Sequence, residues 1–208
     1  MMNRIFELIA LGEGEKLDFK KEISSSSRIA KSIVSFANHK GGRLLVGVND
    51  DKSISGINAE EERFMLEQAA AFYCRPEIDI EIKEWQIKNK TIFEVIIPEG
   101  DAKPYYSKDE NNKWWVYIRV ADQSLLASKV VVDVLKRMGT DTQTLIQYTS
   151  KEQALLEFLT NNKRITLKEY CKLINISKWR ATKIIVNLIS VGVIRSHNTE
   201  KTEFYTLS

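Results

Sequence analysis

The stretch Ser35-Phe-Ala-Asn-His-Lys-Gly-Gly-Arg-Leu-Leu-Val-Gly-Val-Asn-Asp50 contains a helix end, a glycine turn and an apolar strand. Upstream of it, apolar residues recur at helical spacing from Ser26 to Asn38, which predicts a helix with one buried face. Gly41 and Gly42 permit the left-handed backbone angles that end a helix and form a tight turn. The short apolar run that follows is typical of a strand covered on both faces. A helix packed beside a buried strand is therefore expected here.

Four residues are predicted to shape this turn: Asn38, Gly41, Gly42 and Gly47. Asn38 tolerates left-handed backbone angles, and Gly47 inside the strand leaves room for another backbone or a ligand. Nucleotide binding at Gly41-Gly42 is an alternative function for the turn. However, neither the Walker nor the dinucleotide glycine pattern is present, and these glycines follow a helix instead of opening one. ATP is therefore not expected as a cofactor.

The composition predicts one medium domain and one small domain in a globular chain of 208 residues. A net charge of +3 is too small by itself to indicate nucleic acid. The charge is uneven, because residues 150–208 contain 10 Lys and Arg against 5 Asp and Glu. Cys74 and Cys171 are isolated, which argues against a disulfide framework or a zinc site and favours a reducing, cytoplasmic setting. No apolar run approaches the length of a membrane span, so no membrane partner is expected.

The order of helical and strand patterns predicts an α+β fold: a mixed-sheet α/β sandwich domain followed by a small winged helix-turn-helix domain. The first domain is expected over residues 1–138, a polar linker over 139–150 and the second domain over 151–208. In the first domain, a helix is expected over 60–72, with Phe64, Leu66, Ala69, Ala70 and Phe72 as its apolar residues. A helix over 127–138 is expected to close that domain.

The second domain is predicted from three short helices and a hairpin. Thr166 and Glu169 have capping-box spacing at the start of the second helix, and Ser177 begins the third. Asn175-Ile-Ser177 supplies the short turn between them, and residues 193–207 form a two-stranded wing. In such a unit the third helix contacts base edges and flanking cations contact phosphates. The predicted DNA contacts are Lys178, Trp179, Arg180, Lys183, Asn187, Arg195 and Lys201. A protein-docking winged helix with a solvated face is the alternative.

Four motifs together resemble one family, the Schlafen-type AlbA domain, also called the divergent AAA-4 domain. They are Glu13-Gly-Glu-Lys-Leu-Asp-Phe-Lys, the stretch 35–50 with Gly56 beyond it, Lys103-Pro-Tyr-Tyr, and Tyr117-Ile-Arg-Val. The similarity covers about Leu8 to Leu135. It implies an α/β nucleic-acid-binding domain, often followed by a winged helix in bacterial transcriptional regulators. This sequence departs from the family pattern at three positions: Asp18 stands in place of Glu, His39 in place of a small hydroxyl residue, and Ala121 in place of Gly.

The resemblance also implies candidate residues for chemistry. In the Schlafen branch three carboxylates act in RNA cleavage, and their positions correspond to Glu13, Asp18 and, more loosely, Asp50. Three converging carboxylates could hold Mg²⁺ or Mn²⁺ and activate a water, so a divalent-metal-dependent endoribonuclease is one alternative function. Carboxylates beside strand ends are more often solvated or capping groups. No cofactor is therefore assigned.

The favoured hypothesis is a cytoplasmic DNA-binding transcriptional regulator, and not an enzyme. The winged helix would contact double-stranded DNA, and phosphate contacts in the first domain would come from Lys20, Lys40, Arg43 and Arg119. A homodimer is expected, because DNA readers with one winged helix per chain usually act as symmetric pairs over two half-sites.

Overall fold

The computed structural model describes residues 4–138 and 148–208. These residues form two compact units, Met1–Leu126 and Ala127–Ser208. The helices are α1 (Arg4–Leu11), α2 (Ser26–Ala37), α3 (Ala59–Phe72), α4 (Lys129–Met138), α5 (Ser150–Asn161), α6 (Leu167–Leu173) and α7 (Lys178–Ser190). The strands are β1 (Leu17–Lys20), β2 (Gly42–Val46), β3 (Cys74–Arg75), β4 (Glu81–Ile87), β5 (Lys90–Ile97), β6 (Tyr106–Lys108), β7 (Trp114–Trp115), β8 (Tyr117–Val120), β9 (Gln123–Leu126), β10 (Ile194–Asn198) and β11 (Glu203–Leu207).

A mixed four-stranded sheet forms the centre of the first unit, with strand order β1-β2-β5-β4. Strands β1 and β2 run parallel, whereas β5 pairs antiparallel with both β2 and β4. Strands β3, β6 and β7 form a separate three-stranded sheet, and β8 pairs with β9 in a hairpin. The expected α+β class with a mixed sheet is therefore confirmed.

Strand β2 is buried on both faces, as the sequence predicts. Leu44 and Val46 pack with α2 and α3 in one core, whereas Leu45 packs with α1 in a second core on the other face. Alternation along a strand sends neighbouring side chains to opposite faces, so an uninterrupted apolar run needs a core on each side.

Helix α3 buries only part of the apolar residues predicted for it. Phe64 is 63% exposed and Phe72 is 71% exposed. The buried face of α3 instead carries Leu66, Ala69 and Ala70. At helical spacing Phe64 lies nearly opposite the stripe that residues 66, 69 and 70 form, and Phe72 lies beside that stripe.

The second unit has its own core and includes α4. Val130 is buried together with Leu155, Tyr170, Ile185 and residues of the β10–β11 hairpin. The sequence assigned this helix to the first domain and placed the boundary at residue 138, whereas the compact units divide after Leu126. An apolar helical face indicates that a helix packs, but it does not specify which core the helix joins.

The predicted linker, 139–150, falls mostly on residues 139–147, which lie outside the described residues. Helix α5 begins at Ser150, one residue before the predicted start of the second domain, after a capping box between Thr149 and Glu152. Across residues 4–138 and 148–208, no helix combines the length and the apolar character that crossing a membrane requires.

Candidate nucleic-acid interface

Helix α7 presents a cationic stripe at its N-terminal end. The Ser177 hydroxyl accepts a hydrogen bond from the Arg180 backbone N–H at 3.3 Å and so fixes the first turn. Lys178, Trp179, Arg180 and Lys183 are all exposed. The opposite face of α7 holds Ala181, Ile184, Ile185 and Leu188 in the core of the second unit. The core positions therefore determine which α7 side chains project outward.

Trp179 lies within this stripe and does not cap the core. Its side chain is 66% exposed, and the Lys183 ammonium lies 5.4 Å from the centre of its ring. A cation over an exposed indole face is attracted to it by about 0.5–1 kcal/mol. Trp179 and Lys183 also border two surface grooves of about 300 and 400 Å³, one beside α4 and one beside α5.

Helix α4 restricts how much of α7 is accessible. It packs along α7, and Thr182 and Val186 of α7 are buried. Asn187, predicted as an exposed DNA contact, is half-buried and accepts a hydrogen bond from the Arg137 guanidinium of α4. The predicted α7 contacts within the first two turns are therefore exposed, whereas Asn187 is hydrogen-bonded to α4.

The predicted cations of the β10–β11 hairpin follow the α7 stripe in the sequence. Arg195 and Lys201 are exposed. On the outer face of the hairpin, the His197 ring stacks on Phe204 with centroids 5.0 Å apart, and the Arg164 guanidinium lies 5.4 Å from the Phe204 ring. Sequence reasoning did not identify the Arg164–Phe204–His197 stack.

In the first unit, Arg119 is buried and is not available to a phosphate. Its side chain is 1% exposed, and its Nη2 lies 3.2 Å from Asp18 Oδ1. Nε and Nη2 both donate to the Gly14 carbonyl, at 3.1 and 3.0 Å. The guanidinium also lies over the Phe36 ring, 4.7 Å from its centre. The prediction of Arg119 as a nucleic-acid contact was wrong: its donors hold the 12–17 loop against β8.

The other predicted cations of the first unit differ in accessibility. Lys40 is exposed. Lys20 binds Asp18 Oδ2 at 2.7 Å and the Phe19 carbonyl at 2.8 Å. Arg43 Nε lies 3.1 Å from Oε1 of the fully buried Glu94. Lys40 is thus the predicted contact of this unit that has the most freedom to reach a ligand.

Glu94 is a buried carboxylate that sequence reasoning missed. Its Oε1 also accepts from Arg4 Nη2 at 3.1 Å, so one oxygen is shared by cations from α1 and β2. An acidic residue inside the apolar run of β5 was the available signal, because a charge buried in a sheet needs a partner.

The three predicted carboxylates do not converge. Glu13 and Asp18 are neighbours, and Glu13 Oε1 accepts the Phe19 N–H at 2.8 Å. Burial raises the pKa of Glu13, the Phe19 bond opposes that rise, and Asp18 adds to it. Asp50 is exposed in the turn beyond the end of β2, whereas Asp18 pairs with Leu44 within the sheet. Within the described ranges, no three His, Cys, Asp or Glu side chains are placed to share a metal ion.

Asn38 has a role different from the predicted one. Its backbone stays in the right-handed region, with φ −72°. Its buried amide donates to the carbonyls of Tyr105 and Tyr117, both at 2.9 Å, and accepts the Tyr105 N–H at 2.7 Å. Asn38 therefore ties the end of α2 to the Lys103-Pro-Tyr-Tyr and Tyr117-Ile-Arg-Val motifs.

The glycine turn is filled by the protein itself. Gly41 has φ +65°, and a Cβ there would lie 2.7 Å from the Ile97 carbonyl oxygen. A Cβ on Gly42 would lie 2.2 Å from Cδ1 of Phe36. Gly47 comes directly after β2 with φ +99°, and a Cβ there would lie 3.2 Å from the Thr91 carbonyl oxygen. These close approaches account for the glycines without a nucleotide.

The first unit is thus a mixed-sheet α+β domain in which a buried arginine and a buried asparagine join its four sequence motifs. The Schlafen, AlbA_2 family matches residues 13–128, more than half of the sequence. The chain belongs to this family, and the resemblance stated from the motifs is confirmed over that range.

Two solved structures are similar to the chain. One is the DIP2311 protein from Corynebacterium diphtheriae, with 18% identity and a TM-score of 0.46 over 71% of this chain and 29% of that one. The other is the N-terminal domain of a RecG-related protein from Nitrosomonas europaea, with 22% identity and a TM-score of 0.43 over 69% of this chain and 92% of that one. This chain therefore spans less than a third of the length of the C. diphtheriae protein. No curated protein matches the sequence.

Proposed function

We propose that the chain is a DNA-binding transcriptional regulator whose second unit is a winged helix-turn-helix that contacts double-stranded DNA. The observation that carries the proposal is the exposed cationic stripe in the first two turns of α7. The order of α5, α6, α7, β10 and β11 supports it, because this is the element order of that motif.

On this proposal α7 enters the major groove with its N-terminal end. Recognition helices contact base edges through their N-terminal residues, which matches the position of Lys178, Trp179 and Arg180 on the exposed first turn. Lys183, one turn later, would contact a phosphate or a base edge. Asn187 would position Arg137 of α4 and would not contact a base itself.

The phosphate contacts would come from cations around the stripe. Lys129 and Lys136 of α4 are exposed beside α7, and Arg195 and Lys201 extend from the hairpin. Neutralising phosphates releases bound counterions, so the affinity should fall steeply as salt is raised. A homodimer over two half-sites, in a bacterial cytoplasm, is part of the same proposal.

Fluorescence anisotropy with a labelled mixed-sequence duplex at low salt tests the proposal. The triple variant Lys178→Gln, Arg180→Gln, Lys183→Gln should lose most of the affinity. Its salt dependence should become shallower by about 0.9 in log–log slope for each phosphate contact removed.

A second triple variant provides the matched control. Lys21→Gln, Lys88→Gln and Lys113→Gln remove the same charge from exposed positions of the first unit. This control should keep near-original affinity, and circular dichroism should show both variants folded. An unchanged affinity in the α7 variant, or an equal loss in both variants, would overturn the proposal.

A further inference from the structure

The small sheet β3-β6-β7 gathers aromatic and cationic side chains on one face. Arg75 pairs with Tyr106, and Lys108 pairs with Trp114. Residues directly opposite in an antiparallel pair share a face, and so do residues two apart along a strand. Arg75, Tyr106, Lys108 and Trp114 therefore lie on the same face, called here the aromatic platform.

The side-chain contacts of the aromatic platform agree with its register. The Arg75 guanidinium lies 5.9 Å from the centre of the Trp114 ring, and the Lys108 ammonium lies 6.0 Å from it. Trp114 is 37% exposed, so part of its ring remains open to solvent. The open indole is thus flanked by two cations, one from β3 and one from β6.

The other face of this sheet is attached to the domain. Cys74 belongs to the core that packs on α2, and Ser107 is 1% exposed. Trp115, on the edge strand, donates its Nε1–H to Asp109 Oδ2 at 2.8 Å. With one face buried, the aromatic platform is held by a fixed backbone, which lowers the entropy lost when a ligand binds.

We propose that the aromatic platform binds an unpaired strand of DNA, with a base stacked on Trp114 and phosphates held by Arg75 and Lys108. Single-strand binding sites combine aromatic rings, which accept any base on a flat face, with cations that follow the backbone. A paired duplex keeps its bases stacked on one another and cannot present a free face to the indole.

Charge complementarity selects a polyanion over an apolar partner. Both cations lie about 6 Å from the centre of the ring, so an apolar protein surface that covered Trp114 would have to desolvate both of them. DNA is the strand proposed here, and the comparison of oligo(dT) with oligo(rU) tests that choice, because a ribose 2′-hydroxyl could also accept a hydrogen bond from Arg75 or Lys108. This proposal does not depend on α7 and stands or falls separately from the winged-helix proposal.

The test uses the full chain and a short labelled oligo(dT), with anisotropy and tryptophan fluorescence as readouts. Trp114→Leu keeps an apolar side chain but removes the ring, and should weaken binding by roughly tenfold or more. Trp114→Phe keeps a stacking ring and should retain most of the affinity. Replacing Arg75 and Lys108 by Gln should reduce the salt slope by about 0.7 for each single-strand phosphate contact.

Two matched controls separate this platform from other causes. Phe64→Leu makes the same ring-to-leucine change at an aromatic residue of α3 that is 63% exposed and lies outside both proposed surfaces, and it should leave oligo(dT) binding unchanged. The α7 triple glutamine variant should lose duplex binding and keep oligo(dT) binding.

Several results would overturn the proposal. Equal oligo(dT) affinity in the original protein and in Trp114→Leu would do so. Tighter binding of oligo(rU) than of oligo(dT) would assign the platform to RNA. Concentration-dependent self-association that Trp114→Leu abolishes would assign the face to a second copy of the chain.

Discussion

Arg119 and Asp18 form a buried ion pair that joins two distant sequence motifs, with Nη2 and Oδ1 3.2 Å apart and side chains 1% and 5% exposed. Arg119 belongs to β8 and Asp18 to β1, so the pair ties the small hairpin to the edge of the central sheet. The remaining guanidinium donors are used by the Gly14 and Leu17 carbonyls and by the Ser124 hydroxyl. Removing the partner of a charge that is buried in this way is strongly destabilising.

Removing one partner of this pair should destabilise the first unit. Asp18→Ala leaves the Arg119 guanidinium buried without its carboxylate and should cost about 3–5 kcal/mol. Arg119→Ala should cost less, because Asp18 keeps the Lys20 ammonium 2.7 Å from its Oδ2. Urea unfolding followed by tryptophan fluorescence measures the change. Glu81→Gln is the matched control, since Glu81 and Lys83 form an exposed pair worth about 0–1 kcal/mol. A loss in Arg119→Ala no larger than the control would contradict a structural role.

Gly42 and Phe36 are in contact so close that only glycine fits. Gly42→Ala would place Cβ 2.2 Å from Phe36 Cδ1, and overpacking of this kind costs about 1–3 kcal/mol. Adding Phe36→Leu should recover part of that loss, which a double-mutant cycle would detect. Gly14→Ala serves as the control, because nothing lies within 4 Å of a Cβ there. Additive effects of the two substitutions would count against the steric explanation.

The sequence correctly predicted those helices and strands whose ends are set by residues close together in the chain. The Thr166–Glu169 capping box, the Ser177 cap and the apolar run of β2 are all confirmed. Each depends on residues within one turn or one strand of each other. The short strands β3, β6 and β9 were missed, because two to four residues carry no usable periodicity and their pairing is set by the folded context.

The candidate site was harder to predict, because burial of a charge is a tertiary property. Asp18 and Lys20 alternate with Leu17 and Phe19 and so resemble a solvated strand face, yet Asp18 is 4% exposed beneath Arg119. Asp50 lies in the turn beyond β2, and its distance from Glu13 and Asp18 depends on how that turn folds. Sequence spacing alone does not specify that distance. The cations at the start of α7 were correctly predicted to be exposed, because the core residues of an amphipathic helix recur on one face and leave the other face to solvent.

Ala121 carries backbone strain that a glycine would relieve. It has φ +52° and is the first of the two residues that join β8 to β9, a position that favours glycine in a type II′ hairpin. Ala121→Gly removes roughly 1–3 kcal/mol of strain and loosens the unfolded chain by about 0.4–1 kcal/mol. A net gain of about 1 kcal/mol is therefore expected in urea unfolding. Ala102→Gly, in an exposed loop, has no such strain to relieve and should lose stability, so a loss in both variants would refute the strain.

His39 should make the first unit less stable in mild acid. Burial lowers the pKa of His39 from its ordinary 6.5, Glu15 opposes that shift, and Lys40 and Lys103 add to it. Its Nδ1 is buried and has no hydrogen-bond partner among the described residues. The folded state therefore binds this proton less readily than the unfolded chain does. The stabilisation is present above pH 6.5 and is lost as the pH falls below that value toward the folded pKa.

The measurement is the free energy of unfolding of the original protein and of His39→Gln across this pH range. The original protein should lose more stability than His39→Gln on going from neutral to mildly acidic pH, because glutamine takes up no proton. Glu13 and Glu62 have raised pKa values and are present in both proteins, so their opposite contribution cancels in the difference. Parallel curves for the two proteins would mean that His39 is protonated as readily in the fold as in the unfolded chain.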